Sequence, residues 1–237
     1  MKPEIPTEFY VGFLDRTFEI HWNYHAWLMF TCWFVLVPFG VISIRYLKTK
    51  PRPWGLPRGW GKFDRIFVWW VMHIWTLYTA ITLSLGGLAV ALIASGKFSG
   101  SLHAWFGGLT ILFGTLQIIV AWQRGTHGGH NHPTTDPDDP STWRGDHFDM
   151  TRRRRWFEAW HKPGGYFALF LATGAVTTGL MQYWMPMIAL ALPLVFVCVF
   201  ILVVFLEGTG QRHDTYEAVF GNHPEHPGNR NKLRKGD

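Results

Sequence analysis

The sequence has little charge and almost no cysteine. Of its 237 residues, 16% are Asp, Glu, Lys or Arg, against 48% apolar. That profile fits a membrane protein rather than one or two soluble domains. The two cysteines, Cys32 and Cys198, both lie in apolar runs. They build no disulfide framework and leave the redox compartment open. No repeat of solenoid period is present. The first twenty residues lack the apolar core of a cleavable signal peptide, because Glu4, Glu8, Asp15, Arg16 and Glu19 interrupt it. A net charge of +6 does not mark a nucleic-acid partner here. The basic residues cluster in loops between apolar runs, where membrane-flanking lysines and arginines belong.

What is present is a set of apolar runs. A span needs about 20 mostly apolar residues. Five runs meet that length: 22–46, 65–94, 101–123, 156–182 and 185–206. The expected fold is an all-α membrane protein with five transmembrane helices. The short turn around Trp184 and Pro186 makes the last two spans an antiparallel hairpin. The expected organisation is an outer segment over 1–20, a transmembrane domain over 21–206 with a long loop over 124–155, and a polar tail over 207–237. Residues 1–20 suit an amphipathic interfacial helix carrying Phe9, Phe13 and Phe18, or a segment laid against a partner. The tail after Gly208 is too polar to pack alone. It suggests docking on another subunit, or disorder.

Loop charge sets the orientation. The 1–2 loop carries Arg45, Lys48, Lys50, Arg52, Arg58, Lys62 and Arg65, and the 3–4 loop carries Arg124, Arg144 and Arg152–Arg155. The 2–3 loop has Lys97 alone, and the 4–5 turn is uncharged. The positive-inside rule then places the N-terminus outside and the C-terminus in the cytoplasm, in a plasma (cytoplasmic) membrane.

Twelve histidines divide into two groups. His127, His130, His132, His147, His213, His223 and His226 are in polar stretches. His21, His25, His73, His103 and His161 are in or at the spans. An ionisable ring inside a bilayer is costly and marks a functional site. The competing account of any one of them is a neutral ring bonded to a neighbouring carbonyl. Depth separates the two accounts. With Arg45 and Arg65 as the cytoplasmic boundary, His25 lies roughly 30 Å away along its helix and His73 about 12 Å. His161 lies roughly 9 Å past Arg155. His103 starts its span level with His25. The rings form an outer layer (His25, His103) and an inner layer (His73, His161), about 18 Å apart by helix rise. Each layer draws one histidine from each of two helices.

Two imidazoles at one depth suit a bis-histidine haem, whose iron takes one axial nitrogen from each side. Zinc wants three or four ligands at one depth. The pattern His-x-x-x-Gly occurs at His103–Gly107 and at His161–Gly165. Glycine four residues on shares the histidine's helical face. It lets a porphyrin lie near the backbone, although close helix packing also uses glycine.

These residues resemble the cytochrome b561 family, in the form attached to outer haem- or catecholamine-binding-like domains. "HAWLMFTCWFVLVPFGVISIRYLK" resembles its first core helix through His25, Leu28, Met29, Trp33, Pro38, Gly40, Arg45, Tyr46 and Lys48. "FVWWVMHIW", "SLHAWFGG" and "FEAWHKPGGY" resemble the second, third and fourth, around His73, His103 and His161. The resemblance covers about residues 20–206. It implies two b-type haems in a four-helix core, with His25 pairing His103 and His73 pairing His161. It implies single-electron transfer across the membrane from a cytoplasmic donor such as ascorbate to an outer acceptor. It tilts Arg45, Tyr46 and Lys48 toward a donor site.

The expected departures are the absence of an attached outer domain, a long 3–4 loop with "HGGHNHPTTDPDDP", and Pro163. That proline is expected to remove a backbone bond and bend the fourth helix. His21, one turn before His25, is a second candidate ligand or a residue lining the haem edge. "RRRRW" at 152–156 reads as a charge stop, or as guanidiniums for haem propionates or an anionic donor. "HGGHNHP" reads as a solvated loop or a metal site. The competing functions are a haem-bearing anchor of a dehydrogenase or respiratory complex, exchanging electrons with quinone or a redox partner, and a non-redox transporter or scaffold. The expected partners are membrane lipid, a small-molecule or quinone donor or acceptor, and a second copy or larger complex.

Overall fold

A computed structural model describes residues 7–53, 68–125, 134, 136, 139–142, 144, 151–224 and 229. Among the described residues, five helices are long and apolar enough to cross a bilayer: α1 Trp22–Tyr46, α2 Val68–Ser95, α3 Leu102–Trp122, α4 Arg152–Gln182 and α5 Pro186–Gly208. The chain is an all-α, multi-pass membrane protein, with one small hairpin besides. The helices spare lipid their polar groups. Ser84, Thr110, Thr115, Thr173 and Thr178 each return their hydroxyl to a carbonyl four residues back. A side-chain donor is thereby satisfied within its own helix.

α4 starts four residues earlier than the apolar run suggests. Thr151 accepts from the Arg154 amide through its side chain (3.4 Å) and from the Arg155 amide through its carbonyl (3.0 Å). It caps the helix, so the arginine run is helical rather than loop. Pro163 lies inside α4, which runs on without a break. In α1, Thr31–Leu36 forms a π-helical stretch, with the Val37 amide reaching back to the Cys32 carbonyl. Pro38 follows directly. Its ring crowds the carbonyl four residues before it, and an extra residue in the preceding turn relieves that crowding.

Residues 7–20 do not form the expected interfacial helix. β1 Glu8–Val11 pairs antiparallel with β2 Arg16–Glu19, with Phe9 opposite Phe18 and their rings stacked at 5.7 Å. Turn chemistry decides the outcome. Asp15 takes a left-handed φ of 49°, and its carboxylate accepts from the Tyr10 hydroxyl at 2.7 Å. An aspartate tolerates that φ and closes the turn, which a helical Phe spacing cannot override.

The described residues within 1–40, 74–116 and 165–202 form one compact unit, and those within 41–73, 117–164 and 203–237 form a second. In the first, Phe30, Cys32, Trp33, Phe34, Ile81 and Ile111 are buried. Trp33 and Ile81 press on Gly114, where a Cβ would come within 2.8 Å of the indole. In the second, a short helix α6 (Thr215–Phe220) is capped by the Asp214 carboxylate. Tyr216 and Ala218 of α6 are buried. The Asn222 and His223 amides donate to the Arg52 and Pro53 carbonyls at 3.1 and 2.9 Å. This part of the tail packs on its own chain, because the buried Tyr216 and Ala218 side chains and two backbone bonds hold what composition alone would leave loose.

Candidate functional site

In the first unit, His25 on α1 faces His103 on α3, with ring centroids 6.3 Å apart and planes at 80°. Trp22, one turn before His25, meets its ring edge at 5.9 Å. His25 Nδ1 is buried without a well-formed hydrogen bond, and the polar neighbour the ring does have is the Gly87 backbone. His103 Nδ1 lies 2.8 Å from the Ala175 carbonyl. A carbonyl only accepts, so Nδ1 carries the proton and Nε2 keeps its lone pair. The His103 ring also lies against Gly179, where a Cβ would stand 3.0 Å from Nδ1. α4 thus fixes the rotation of a ring that α3 carries. Orienting carbonyls of this kind set the tautomer of ligand histidines. A Cβ on Gly107 would meet no atom within 4 Å.

In the second unit, His73 on α2 faces His161 on α4 at 6.4 Å and 75°. Each ring has an aromatic neighbour, and each neighbour carries a guanidinium. Trp70 lies 6.4 Å from His73, with Arg124 at 4.3 Å over the indole. Phe157 stacks on His161 at 4.8 Å, with Arg154 at 4.8 Å over the phenyl. Arg154 is buried and forks onto Glu158 Oε1 at 3.0 and 3.1 Å. Gly165 follows His161 by four residues on α4.

The structure therefore brings together the same two pairs that depth and resemblance select. It does not bring His21 to either pair. That ring is exposed, 3.8 Å from Glu19 and edge-on to Tyr24. Arg124, Trp70 and Phe157 were not singled out from sequence. The signal was there in spacing: Trp70 and Arg154 stand three residues before His73 and Phe157, and Phe157 four before His161. Residues so spaced meet on one helix face.

Arg45, Tyr46 and Lys48 are also in the second unit, and they are engaged. Arg45 Nη2 and the Tyr46 hydroxyl both donate to Glu207 Oε1, at 2.8 and 2.9 Å. Lys48 Nζ donates to Thr215 Oγ1 at 3.1 Å. Burial holds the Lys48 ammonium below the ordinary lysine range, and the Asp214 carboxylate opposes that shift. Glu207 was missed from sequence, although it is the acid that ends the apolar run "VVFLEG". The "HGGHNHP" loop, Arg58, Lys62 and Arg65 lie outside the described residues. Among the described residues, no three His, Cys, Asp or Glu side chains gather as a metal-binding group; the half-buried histidines of the spans come in twos.

No family model matches the chain, and no solved structure matches it significantly. Two curated proteins do. A Danio rerio protein named as a ferric-chelate reductase is 29% identical over 97 residues, which is 41% of this chain and 16% of that protein. A cytochrome b561, DM13 and DOMON domain-containing protein of Arabidopsis thaliana is 30% identical over 101 residues, 42% of this chain and 10% of that protein. The chain thus spans less than a fifth of the length of the curated relatives it matches. Both matches cover less than half of this chain, and the second relative is named as a cytochrome b561 domain protein.

Proposed function

We propose that the chain is a transmembrane electron-transfer cytochrome holding two b-type haems. His25 and His103 would ligate one, and His73 and His161 the other. The observation that carries this reading is the repeated ring separation. One metal ion bonded at about 2 Å to a nitrogen of each of two facing imidazoles would hold their ring centres up to roughly 6.4 Å apart. Both pairs stand at that distance, 6.3 and 6.4 Å. The donor set fits too. His103 presents an unprotonated Nε2, and His25 keeps a buried nitrogen without a well-formed bond. The open space beside Gly107 suits a flat macrocycle.

Haem iron, when bound, supplies a one-electron change between ferric and ferrous states. The chain's own residues do the rest. Ala175 and Gly179 hold one imidazole in register. Trp70 and Phe157 set the other pair between aromatic faces. Arg124 and Arg154 offer guanidiniums for propionate carboxylates. The five apolar spans exclude water from both pairs. In this reading the N-terminus is outside and the C-terminus cytoplasmic. The second pair then faces the cytoplasmic donor and the first the outer acceptor. Arg45, Tyr46 and Lys48 form the donor-side group, with Glu207 holding two of them in place. The names of the two relatives, one a reductase and one a cytochrome, favour electron transfer over a non-redox transporter.

The test is an absorption spectrum of the purified full chain, oxidised and dithionite-reduced. Sharp b-type bands that appear on reduction are expected. A chain purified from haem-sufficient cells without those bands contradicts the proposal.

A further inference from the structure

A recess of about 280 Å³ opens in the second unit at the joined ends of α3 and α4. Ile119 and Val120 of α3 and Trp156 and Phe157 of α4 form apolar walls, and Gln123 and Arg153 supply the polar atoms. Arg153 Nε donates to the Gln123 carbonyl at 2.7 Å, which pins the guanidinium at the rim. Its other nitrogens and the Gln123 side-chain amide take no partner among the described residues. We propose that this recess binds the ring of a lipid-soluble quinone or quinol.

Four observations select that class. The volume holds one substituted six-membered ring and little more. The walls are aromatic and aliphatic, and Gln123 and Arg153 supply hydrogen-bond donors, as a ring bearing oxygens on an apolar body requires. The recess lies where spans α3 and α4 end, beside the exposed indoles of Trp122, Trp156 and Trp160. Exposed tryptophans at span ends mark the membrane interface, so the ligand enters sideways and leaves its tail in lipid. Phe157 is both a wall of the recess and the ring stacked on His161 at 4.8 Å. A ligand here is one side chain away from the second histidine pair. A soluble dianion would find one guanidinium on apolar walls. A phospholipid phosphate would leave the aromatic slot unused.

The inference deepens the proposed function by giving the electron donor a chemical class, and it rests on that reading only for the redox role of the site, not for binding. The probe is an azido derivative of decylubiquinone, photolysed with the full chain in detergent, followed by peptide mapping. Labelling is expected on segments 117–124 and 152–158, and excess decylubiquinone should compete it away. Gln123→Leu and Arg153→Gln should each weaken labelling by about tenfold, as loss of a hydrogen bond to a polar or charged donor does. Trp156→Ala should remove it, and Arg153→Lys should restore part of it. Gln123→Leu should leave the haem spectrum unchanged, which separates loss of the site from misfolding. Labelling without any haem spectrum supports the binding site and contradicts the cytochrome reading instead. Label elsewhere, label unmoved by these variants, or competition by phosphatidylglycerol as strong as by decylubiquinone overturns the quinone proposal.

Discussion

The two histidine pairs have nearly the same ring separation and opposite surroundings. His25 and His103 sit among neutral groups: an indole edge, a backbone carbonyl and a glycine. His73 and His161 sit between aromatic rings that each carry a guanidinium. In the proposed reading, that separation is set by the iron each pair would share. Surroundings are where the chain sets potential and orientation. A positive charge near a redox centre favours the state with one more electron, and a low local dielectric strengthens that effect. In the proposed reading the second centre is therefore the easier to reduce.

The comparison breaks most sharply at the ligands. Replacing His25 or His103 with Ala should remove or perturb one haem and spare the other, and His73→Ala or His161→Ala should do the reverse. A double replacement within a pair should add little, because both residues serve one iron. Redox titration of each variant checks this; His25 and His73 variants with matching spectra would disprove the pairing. Next comes charge. Arg124→Gln with Arg154→Gln should lower the midpoint of the second centre by about 30–60 mV, up to one tenfold step for a one-electron couple. The first midpoint should move far less. Equal shifts in both would mean a general field, not a local one.

Smaller still is the steric test. Gly179→Ala places a methyl 3.0 Å from His103 Nδ1, so the imidazole must turn or shift. The expected destabilisation is about 1–3 kcal/mol, with electron paramagnetic resonance of the first centre altered and the second unaltered. An unaltered first signal would mean that α4 does not orient that ring. The smallest effect belongs to the loop. Deleting residues 126–134 should leave both haem signals intact, since each proposed ligand lies elsewhere. Loss of either signal would bring the "HGGHNHP" histidines back as ligands.

Much of the fold is legible because bilayer physics writes it in plain composition. A run of apolar residues of span length admits few structures other than a helix. The limits of α1, α3 and α5 accordingly lie within two residues of the apolar runs. What composition hides is local. The α4 start rests on one capping hydroxyl, Thr151, before four arginines that read as loop. The hairpin at Glu8–Glu19 rests on a single left-handed aspartate. The π-helical stretch is a response to Pro38, whose presence is visible and whose consequence is not. In the site, depth selects the histidine pairs because equal rise along parallel helices is simple arithmetic. The supporting groups come from elsewhere in the chain. Ala175 and Gly179 serve His103 from more than seventy residues away, and Glu207 reaches Arg45 and Tyr46 across 162 and 161 positions. No periodicity encodes such contacts.

The central claim is that two histidine pairs of nearly equal ring separation each hold one haem. Its most direct test is haem per polypeptide, measured by pyridine haemochrome and quantitative amino-acid analysis on the unaltered full chain. The account predicts two b-type haems per chain, falling to one in either His103→Ala or His161→Ala and to none in the chain carrying both. A value that never exceeds one in the unaltered chain would contradict it.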